Sequence, residues 1–227
     1  MPTRTNYNRI AGQSLERLAA LSDGVFAIAM TLLVLDLRVP TGETIQIHTE
    51  GDVWRTLVAL APRLIAYLMS FLTLGIFWVS QQTQLAQCAR SDRDLTWVHL
   101  GFLLVVSLMP FSTGFLAALI TYRLALVVYW LNILLLGVAL LGGRRYAARA
   151  GLLKDEVTAA MRAEAECRHV VAQALYALSA ALCVVNTSWS IAAIVLVQLN
   201  YAFAATRFVR APVAAARRGV RNLWRRP

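Results

Sequence analysis

Six apolar segments, each about 20 residues long, limit what this chain can fold into. Hydrophobic residues make up 59% of its 227 residues and charged residues only 15%, whereas about a quarter of an ordinary globular domain is charged. A helix of roughly 20 apolar residues crosses the hydrocarbon core of a bilayer. We therefore expect an all-α integral membrane protein. The six transmembrane helices are predicted near 18–37, 59–81, 96–119, 122–141, 169–186 and 188–206.

The polar segments between these spans predict the domain organisation. The connection at 38–56 is expected to be a polar surface loop. The longest linker, 142–168, is expected to be helical over 154–166 and to continue a helix past the membrane surface. Residues 1–206 then form one six-helix transmembrane domain, and 207–227 form a basic cytoplasmic tail. The first apolar run is too long for the hydrophobic region of a cleaved signal peptide. We expect it to stay in place as the first membrane helix.

The basic residues predict the orientation in the membrane. With both termini cytoplasmic, 18 of the 22 lysines and arginines lie inside and four lie outside, which is a strong positive-inside signal. The net charge of +10 does not indicate nucleic-acid binding, because the basic residues lie between and beyond the apolar runs. The arginine tail either sets the topology alone or also binds anionic lipid headgroups.

The cysteines and histidines give no sign of a metal site. Cys88, Cys167 and Cys183 have no paired spacing and no accompanying histidines, so neither a disulfide framework nor a zinc site is predicted. We expect a protein without a cofactor and without a bound metal.

Two charged residues lie at the start of the first span, Arg17 and Asp23. A carboxylate in this position needs a partner, because burying an unpaired charge is costly. The candidates are Arg17 itself, the hydroxyl of Ser22, the indole N–H of Trp78 and the imidazole of His99. Two interpretations stay open: a polar network that fixes helix packing, or a relay for protons or ions.

Beyond these charges the first helix has a second, uncharged face. At 100° per residue, Ile28 lies about 140° around the helix from Asp23. Gly24, Ile28, Thr31 and Leu35 fall within about 60° of one another, with Leu32 beside them. Spacing alone leaves open whether these side chains face lipid, a neighbouring helix or a pore.

The segment Arg17-x-x-x-Leu21-Ser22-Asp23 resembles the Arg-x-x-x-Phe-Ser-Asp motif of the transmembrane protein 175 family of potassium channels. The resemblance extends beyond the motif. The texture of 24–37 is similar to the family's first helix, 71–78 resembles its second, and 103–113 resembles its third. Six spans in a chain of this length match the bacterial form, which carries one repeat where the animal proteins carry two.

The resemblance implies a homotetramer in which the first helix of each subunit lines a central pore. These channels lack a carbonyl filter with a Thr-Val-Gly-Tyr-Gly loop, and this sequence contains no such loop. The family's aliphatic constriction falls here on Ile28, Leu32 and Leu35, and Thr31 matches a hydroxyl position associated with potassium preference. Arg17, Ser22 and Asp23 would form a structural network behind the pore.

Four positions depart from the family pattern. Leu21 replaces the phenylalanine of the motif, Gln81 and Gln82 stand where relatives often have histidine, and His99 stands near an expected asparagine. We therefore expect the network to be rebuilt with different partners. Its predicted members are Arg17, Leu21, Ser22, Asp23, Trp78 and His99.

The leading hypothesis is a potassium-selective cation channel in a bacterial plasma membrane, and not an enzyme. Acidic residues near the outer side (Asp36, Glu43, Glu50 and Asp52) would raise the local cation concentration there. One alternative is proton conduction through the same pore. It would need a transient water wire, because the row of Ile28, Thr31, Leu32 and Leu35, here called the ladder, contains no titratable group. Another is a membrane-embedded carrier or enzyme that uses Asp23 and His99, which would require several convergent polar groups.

Overall fold

The computed structural model of the protein describes residues 14–38 and 48–203, except the side chain of Phe203. Within these ranges the chain is helical and has no strand, apart from an isolated bridge between Cys88 and Leu153. Eight α-helices are present. They are α1 (Leu15–Leu33), α2 (Glu50–Ala59), α3 (Ala61–Ala86), α4 (Arg93–Ser107), α5 (Met109–Ala118), α6 (Arg123–Arg149), α7 (Ala159–Ala181) and α8 (Thr187–Phe203).

Within the described residues, five helical segments are long and apolar enough to cross a membrane. They cover Leu15–Asp36, Ala61–Ala86, Arg93–Ala118, Arg123–Arg149 and Ala159–Val184. The third combines α4 and α5, which are separated at Leu108 because Pro110 has no N–H to continue the ladder of hydrogen bonds. These five spans confirm a multi-pass, all-α membrane protein. The described part of α8 has 17 residues, and the sixth span stays a prediction.

The helices extend further than the apolar runs predict. The second predicted span ends at residue 81, but α3 continues to Ala86. The fourth was expected to end near 141, and α6 continues to Arg149. Hydropathy marks only the part of a helix that lies in hydrocarbon, and polar residues at both places continue the helix beyond it. The helix expected over 154–166 is confirmed only from Ala159, where α7 begins, and residues 154–158 belong to the connection before it.

The prediction of a polar surface loop across 38–56 is wrong for its second half. Residues 39–47, which include Glu43, lie outside the described part. Helix α2 begins at Glu50. A capping box starts this helix: the Thr49 hydroxyl accepts from the Asp52 N–H at 3.3 Å, and the Asp52 carboxylate accepts from the Thr49 N–H at 3.1 Å. Hydrogen bonds from the Thr49 hydroxyl and the His48 backbone hold the pKa of Asp52 below its usual range.

One stripe of α1 packs into the core of the protomer. Its buried residues recur every three or four positions, as expected for one helical face, and they contact α3, α4 and α5. Phe26 lies 6.0 Å from Phe102 on α4, measured between ring centroids, and Phe77 on α3 lies 6.5 Å from the same ring. The buried stripe consists of Leu18, Ser22, Phe26, Ala29 and Leu33.

Polar side chains tie the remaining helices together deep in the bundle. The fully buried Tyr129 on α6 lies 3.3 Å from the hydroxyls of both Ser70 and Thr73 on α3. The amide of Gln198 on α8 donates to Thr73 at 2.7 Å, and Thr113 on α5 donates to Ser70 at 2.6 Å. Because hydrocarbon offers no hydrogen-bond partners, these contacts satisfy groups that would otherwise be costly to bury.

Two connections meet at one end of the bundle. Ala89 N–H donates to the carbonyl of Leu152 at 2.8 Å, and Lys154 N–H donates to that of Gln87 at 3.0 Å. Leu15 packs at this end against a small buried cluster that consists of Cys88, Leu95, Ala147 and Leu152. The start of α1, the 87–92 connection and the 150–158 connection therefore share one end of the molecule. Between α7 and α8 the chain turns at Val185 and Asn186, where Asn186 Oδ1 accepts from the Ser188 N–H at 2.7 Å.

Candidate functional site

Ser22 on α1 lies at the centre of a buried polar contact between three helices. Its hydroxyl donates to the carbonyl of Leu18 one turn earlier at 2.8 Å. The same oxygen lies 2.8 Å from Nε2 of His99 on α4 and accepts from the amide of Gln81 on α3 at 3.1 Å. Ser22 and Gln81 are completely buried, and His99 is 5% exposed. The contact fixes the rotation of α1 against both neighbours.

Asp23 makes a separate contact on the more exposed side of the same helix. One carboxylate oxygen accepts from the indole N–H of Trp78 at 2.8 Å and from the amide of Gln82 at 2.5 Å. Trp78 and Gln82 lie four residues apart on α3, so one helical turn provides both donors. The carboxylate is thereby held by two hydrogen bonds without a basic partner in the described ranges.

The predicted network residues do not all come together. Trp78 contacts Asp23, whereas His99 pairs with Ser22 and not with Asp23. The side chain of Arg17 is exposed and has no hydrogen bond with Asp23; its backbone N–H donates to the N-cap residue Ser14 at 3.2 Å. Leu21 is 47% exposed and belongs to neither contact.

Two members of the site were absent from the predicted set, Gln81 and Gln82. Each donates a hydrogen bond to one of the two motif residues, Ser22 and Asp23 respectively. The signal that could have found them was present, because both stand where relatives often carry histidine. Amide side chains can donate at these positions as an imidazole would, so the substitution retains hydrogen bonding.

The predicted pore-lining residues lie on the surface of the single protomer. Ile28 is 61% exposed, Leu35 is 59% exposed and Leu32 is 42% exposed. Thr31 is also exposed, and its hydroxyl donates to the carbonyl of Ile28 at 2.8 Å. This bond uses the hydroxyl hydrogen, which leaves the oxygen lone pairs of Thr31 free to accept from water or to face a cation.

The C-terminal end of the first span changes from α-helix to 3₁₀-helix and is held by a hydrogen bond from another helix. After Leu33 the chain makes a 3₁₀ turn over Val34–Asp36, and Arg63 donates to the carbonyl of Arg38 at 3.1 Å. The Asp36 carboxylate lies against Gly114 on α5, where an added Cβ would stand 2.8 Å from Oδ2. Glycine at 114 therefore leaves room for a half-buried acidic group at the end of the ladder.

The described residues include no group of three or more histidine, cysteine, aspartate or glutamate side chains that could hold a metal ion. Cys88 and Cys183 are buried and Cys167 is exposed, and all three are free thiols.

These features define a multi-pass helical membrane protein. Its first helix carries the polar contacts of Ser22 and Asp23, here called the brace, on one side and an uncovered aliphatic face on another. Residues 17–110 match the family described as endosomal/lysosomal potassium channel TMEM175. The chain is also 35% identical over 192 residues to a potassium channel of Streptomyces collinus, which covers 82% of this chain and 91% of that relative. The chain belongs to the TMEM175 family.

Two further comparisons agree with this assignment. The crystal structure of a lysosomal potassium-selective channel TMEM175 homologue from Chamaesiphon minutus superposes with a TM-score of 0.72 at 26% identity, covering 85% of this chain and 98% of that one. The human protein named endosomal/lysosomal proton channel TMEM175 is 32% identical over 102 residues, which is 44% of this chain and 20% of the human protein. The predicted family is confirmed, and it is a family of channels without a cofactor, not of enzymes.

Proposed function

We propose that this chain is the subunit of a homotetrameric, potassium-selective cation channel in a bacterial plasma membrane, with the ladder of Ile28, Thr31, Leu32 and Leu35 lining the pore. One observation carries the proposal: these side chains are exposed on α1, with Ile28, Thr31 and Leu35 on the side away from its buried stripe and Leu32 beside them. The names of the bacterial relative and the solved homologue, both potassium channels, support potassium as the permeant ion.

A tetramer gives the uncovered face of α1 a defined neighbour. Ile28 lies about 140° around the helix from Leu33, and about 160° from Phe26. The protomer therefore cannot bury both faces of α1 against its own helices. Closed fourfold symmetry would bring four identical ladders around one axis, each facing the other three.

Such a ladder can select among cations without coordinating them with carbonyl groups. From Ile28 to Leu35 it extends about 11 Å along the helix axis. Large aliphatic side chains at that spacing form a narrow neck that water wets poorly, and an ion must lose part of its hydration shell to pass. Potassium holds its water less tightly than sodium, so the smaller desolvation cost favours potassium. The free lone pairs of Thr31 would replace part of the lost hydration.

Charges at the two ends of the bundle support the orientation with cytoplasmic termini. The end that holds the start of α1 also holds the 87–92 and 150–158 connections, and most of the basic residues belong there by sequence. Asp36 lies at the other end, beyond the ladder. Its negative charge, with those of Glu50 and Asp52 on α2, would raise the cation concentration at the outer mouth. The tail at 207–227, proposed to set topology and to contact anionic lipid, lies outside the described residues.

The direct test is ion flux in liposomes that contain the purified full chain. We expect a K⁺ gradient to drive a potassium current, with a much smaller current under a matched Na⁺ gradient. A current carried only by protons would favour the second candidate. Transport of a substrate with no ion current would overturn the channel proposal.

Proton conduction is the second candidate because the human relative is named a proton channel. The ladder contains no titratable side chain, so protons would need a file of water molecules through the aliphatic neck. A proton current should therefore rise when the neck is made more polar. Measuring H⁺ flux in the same liposomes at zero K⁺ separates this candidate from potassium selectivity.

Replacing Asp23 with asparagine is expected to change the potassium current by less than about twofold, because a neutral side-chain oxygen can still accept from Trp78 and Gln82. Asp23→Ala removes both bonds and should destabilise the assembled protein by about 1–3 kcal/mol. Thermal unfolding in detergent and flux in liposomes measure the two effects. If Asp23→Asn instead abolished conduction while the protein stayed folded, Asp23 would be an ion or proton relay and not a brace.

A further inference from the structure

A buried arginine on α6 lacks a partner at the end of the bundle that holds the 150–158 connection. Arg144 is only 8% exposed, its Nε is buried without a hydrogen bond, and no described residue forms an ion pair with it. A guanidinium group stays charged at any accessible pH. Burying it without an acceptor is costly, so the site calls for an anion that the described residues do not supply.

The surrounding side chains do not neutralise this charge. Glu166 on α7 interacts electrostatically with Arg144, but its carboxylate accepts from Arg145 at 3.3 Å. His169 lies against the carbonyl of Gly137 at 2.9 Å, which holds α7 close to α6. Arg168 on α7 adds a second positive charge near Arg144. Arg144 and Arg168 together carry more positive charge than Glu166 can offset, so the surroundings of Arg144 between the two helices are net positive.

An exposed aliphatic stripe runs along α7 from Arg168 toward the end of the helix. Its residues follow Arg168 at three, seven, ten and fourteen positions, which places them within about 80° of it around the helix. Leu178 is 67% exposed and Val171 is 48% exposed. The stripe consists of Val171, Leu175, Leu178 and Leu182. A charged group at one end of an aliphatic stripe matches a molecule with an anionic head and a hydrocarbon chain.

We propose that Arg144 and Arg168 bind the phosphate of an anionic phospholipid whose acyl chain lies along the exposed stripe of α7. Arginine suits this role because its planar fork pairs with phosphate oxygens through two parallel hydrogen bonds. The lipid supplies the missing acceptor for Arg144 and covers side chains that are otherwise unpartnered. The site does not depend on the identity of the permeant ion or on the pore-lining assignment.

The test titrates the purified full chain with dioleoylphosphatidylglycerol or dioleoylphosphatidylcholine and follows bound lipid by native mass spectrometry. We expect the wild type to retain phosphatidylglycerol preferentially. Arg144→Gln should weaken that binding by about tenfold or more, because it removes a charge-assisted hydrogen bond. Arg168→Gln should weaken it severalfold. The matched control is Arg149→Gln, which removes the same charge from an exposed position on the same helix and should leave binding unchanged.

Thermal stability gives a second reading. Phosphatidylglycerol should raise the unfolding temperature of the wild type above its value in phosphatidylcholine, and Arg144→Gln should remove most of that difference. If Arg144→Gln does not assemble, Arg168→Gln decides alone, since this residue is exposed. The proposal would be overturned if both variants retained phosphatidylglycerol as well as the wild type does. If Arg144→Gln does not assemble, the same result for Arg168→Gln alone would overturn it. So would equal stabilisation by inorganic phosphate, which would show a free-anion site.

Discussion

Replacing Ile28 with asparagine is expected to lower the K⁺/Na⁺ permeability ratio by about tenfold, which corresponds to about 1.4 kcal/mol of lost discrimination. Ile28 is the most exposed aliphatic residue of the ladder at 61%, so the protomer loses no core packing. An amide in the constriction would hydrogen-bond to water and keep the neck wet. Sodium could then pass with more of its hydration shell. Reversal potentials under bi-ionic K⁺ and Na⁺ gradients measure the ratio.

Two further variants make this result specific to the ladder. Leu35→Ala widens the neck without adding polarity and should reduce the ratio less than Ile28→Asn does. Val34→Asn is the matched control: Val34 is 48% exposed on the same span but lies about 120° around the helix from Ile28. It should leave the ratio unchanged. Unaltered selectivity in both Ile28→Asn and Leu35→Ala would remove the ladder from the pore.

The membrane spans could be predicted from the sequence because hydropathy reports directly on them. Helix ends were less accessible, since α3 and α6 continue through polar residues that hydropathy assigns to loops. The amphipathic α2 was missed for a related reason. Its start depends on Thr49 and Asp52, and aspartate at the third position gives a weaker capping signal than the usual glutamate or glutamine. Single polar residues in a polar stretch rarely distinguish a helix start from a loop.

The division of α1 into two faces followed from helical spacing alone, whereas the partners of its polar residues did not. Which hydrogen bond His99 makes depends on the rotation and axial register of α4 against α1. A shift of one residue would turn its ring by about 100°. Sequence could place His99 at a similar depth to Ser22 and Asp23, but only the packed helices decide that it contacts Ser22. Arg17 was expected in the network for its charge, yet it is exposed at the first turn of the helix.

Ser22→Ala is expected to destabilise the protein by about 2–4 kcal/mol while leaving the K⁺/Na⁺ permeability ratio unchanged. The substitution removes the Ser22 hydroxyl, which accepts from the amide of Gln81 and contacts the imidazole of His99. These two side chains are then left with only their 3.1 Å contact with each other. Water cannot replace that acceptor inside hydrocarbon, which makes the loss more costly than at a surface. Thermal unfolding in detergent measures the stability, and bi-ionic reversal potentials measure the selectivity. Ser107→Ala is the control, because Ser107 is exposed and bonds only its own helix.

A double variant separates two contributions to the lost stability: the missing hydrogen bond between Ser22 and Gln81, and the loss of a small buried side chain. If Ser22 acts through Gln81, then Gln81→Leu removes the amide that loses its Ser22 acceptor in Ser22→Ala. The two changes together should then cost less than the sum of the two single changes, by about 1 kcal/mol or more. Additive costs would mean that the hydrogen bond contributes little and that Ser22 is selected for its size. A fall in selectivity with unchanged stability would instead move Ser22 from the brace behind α1 into the conduction path.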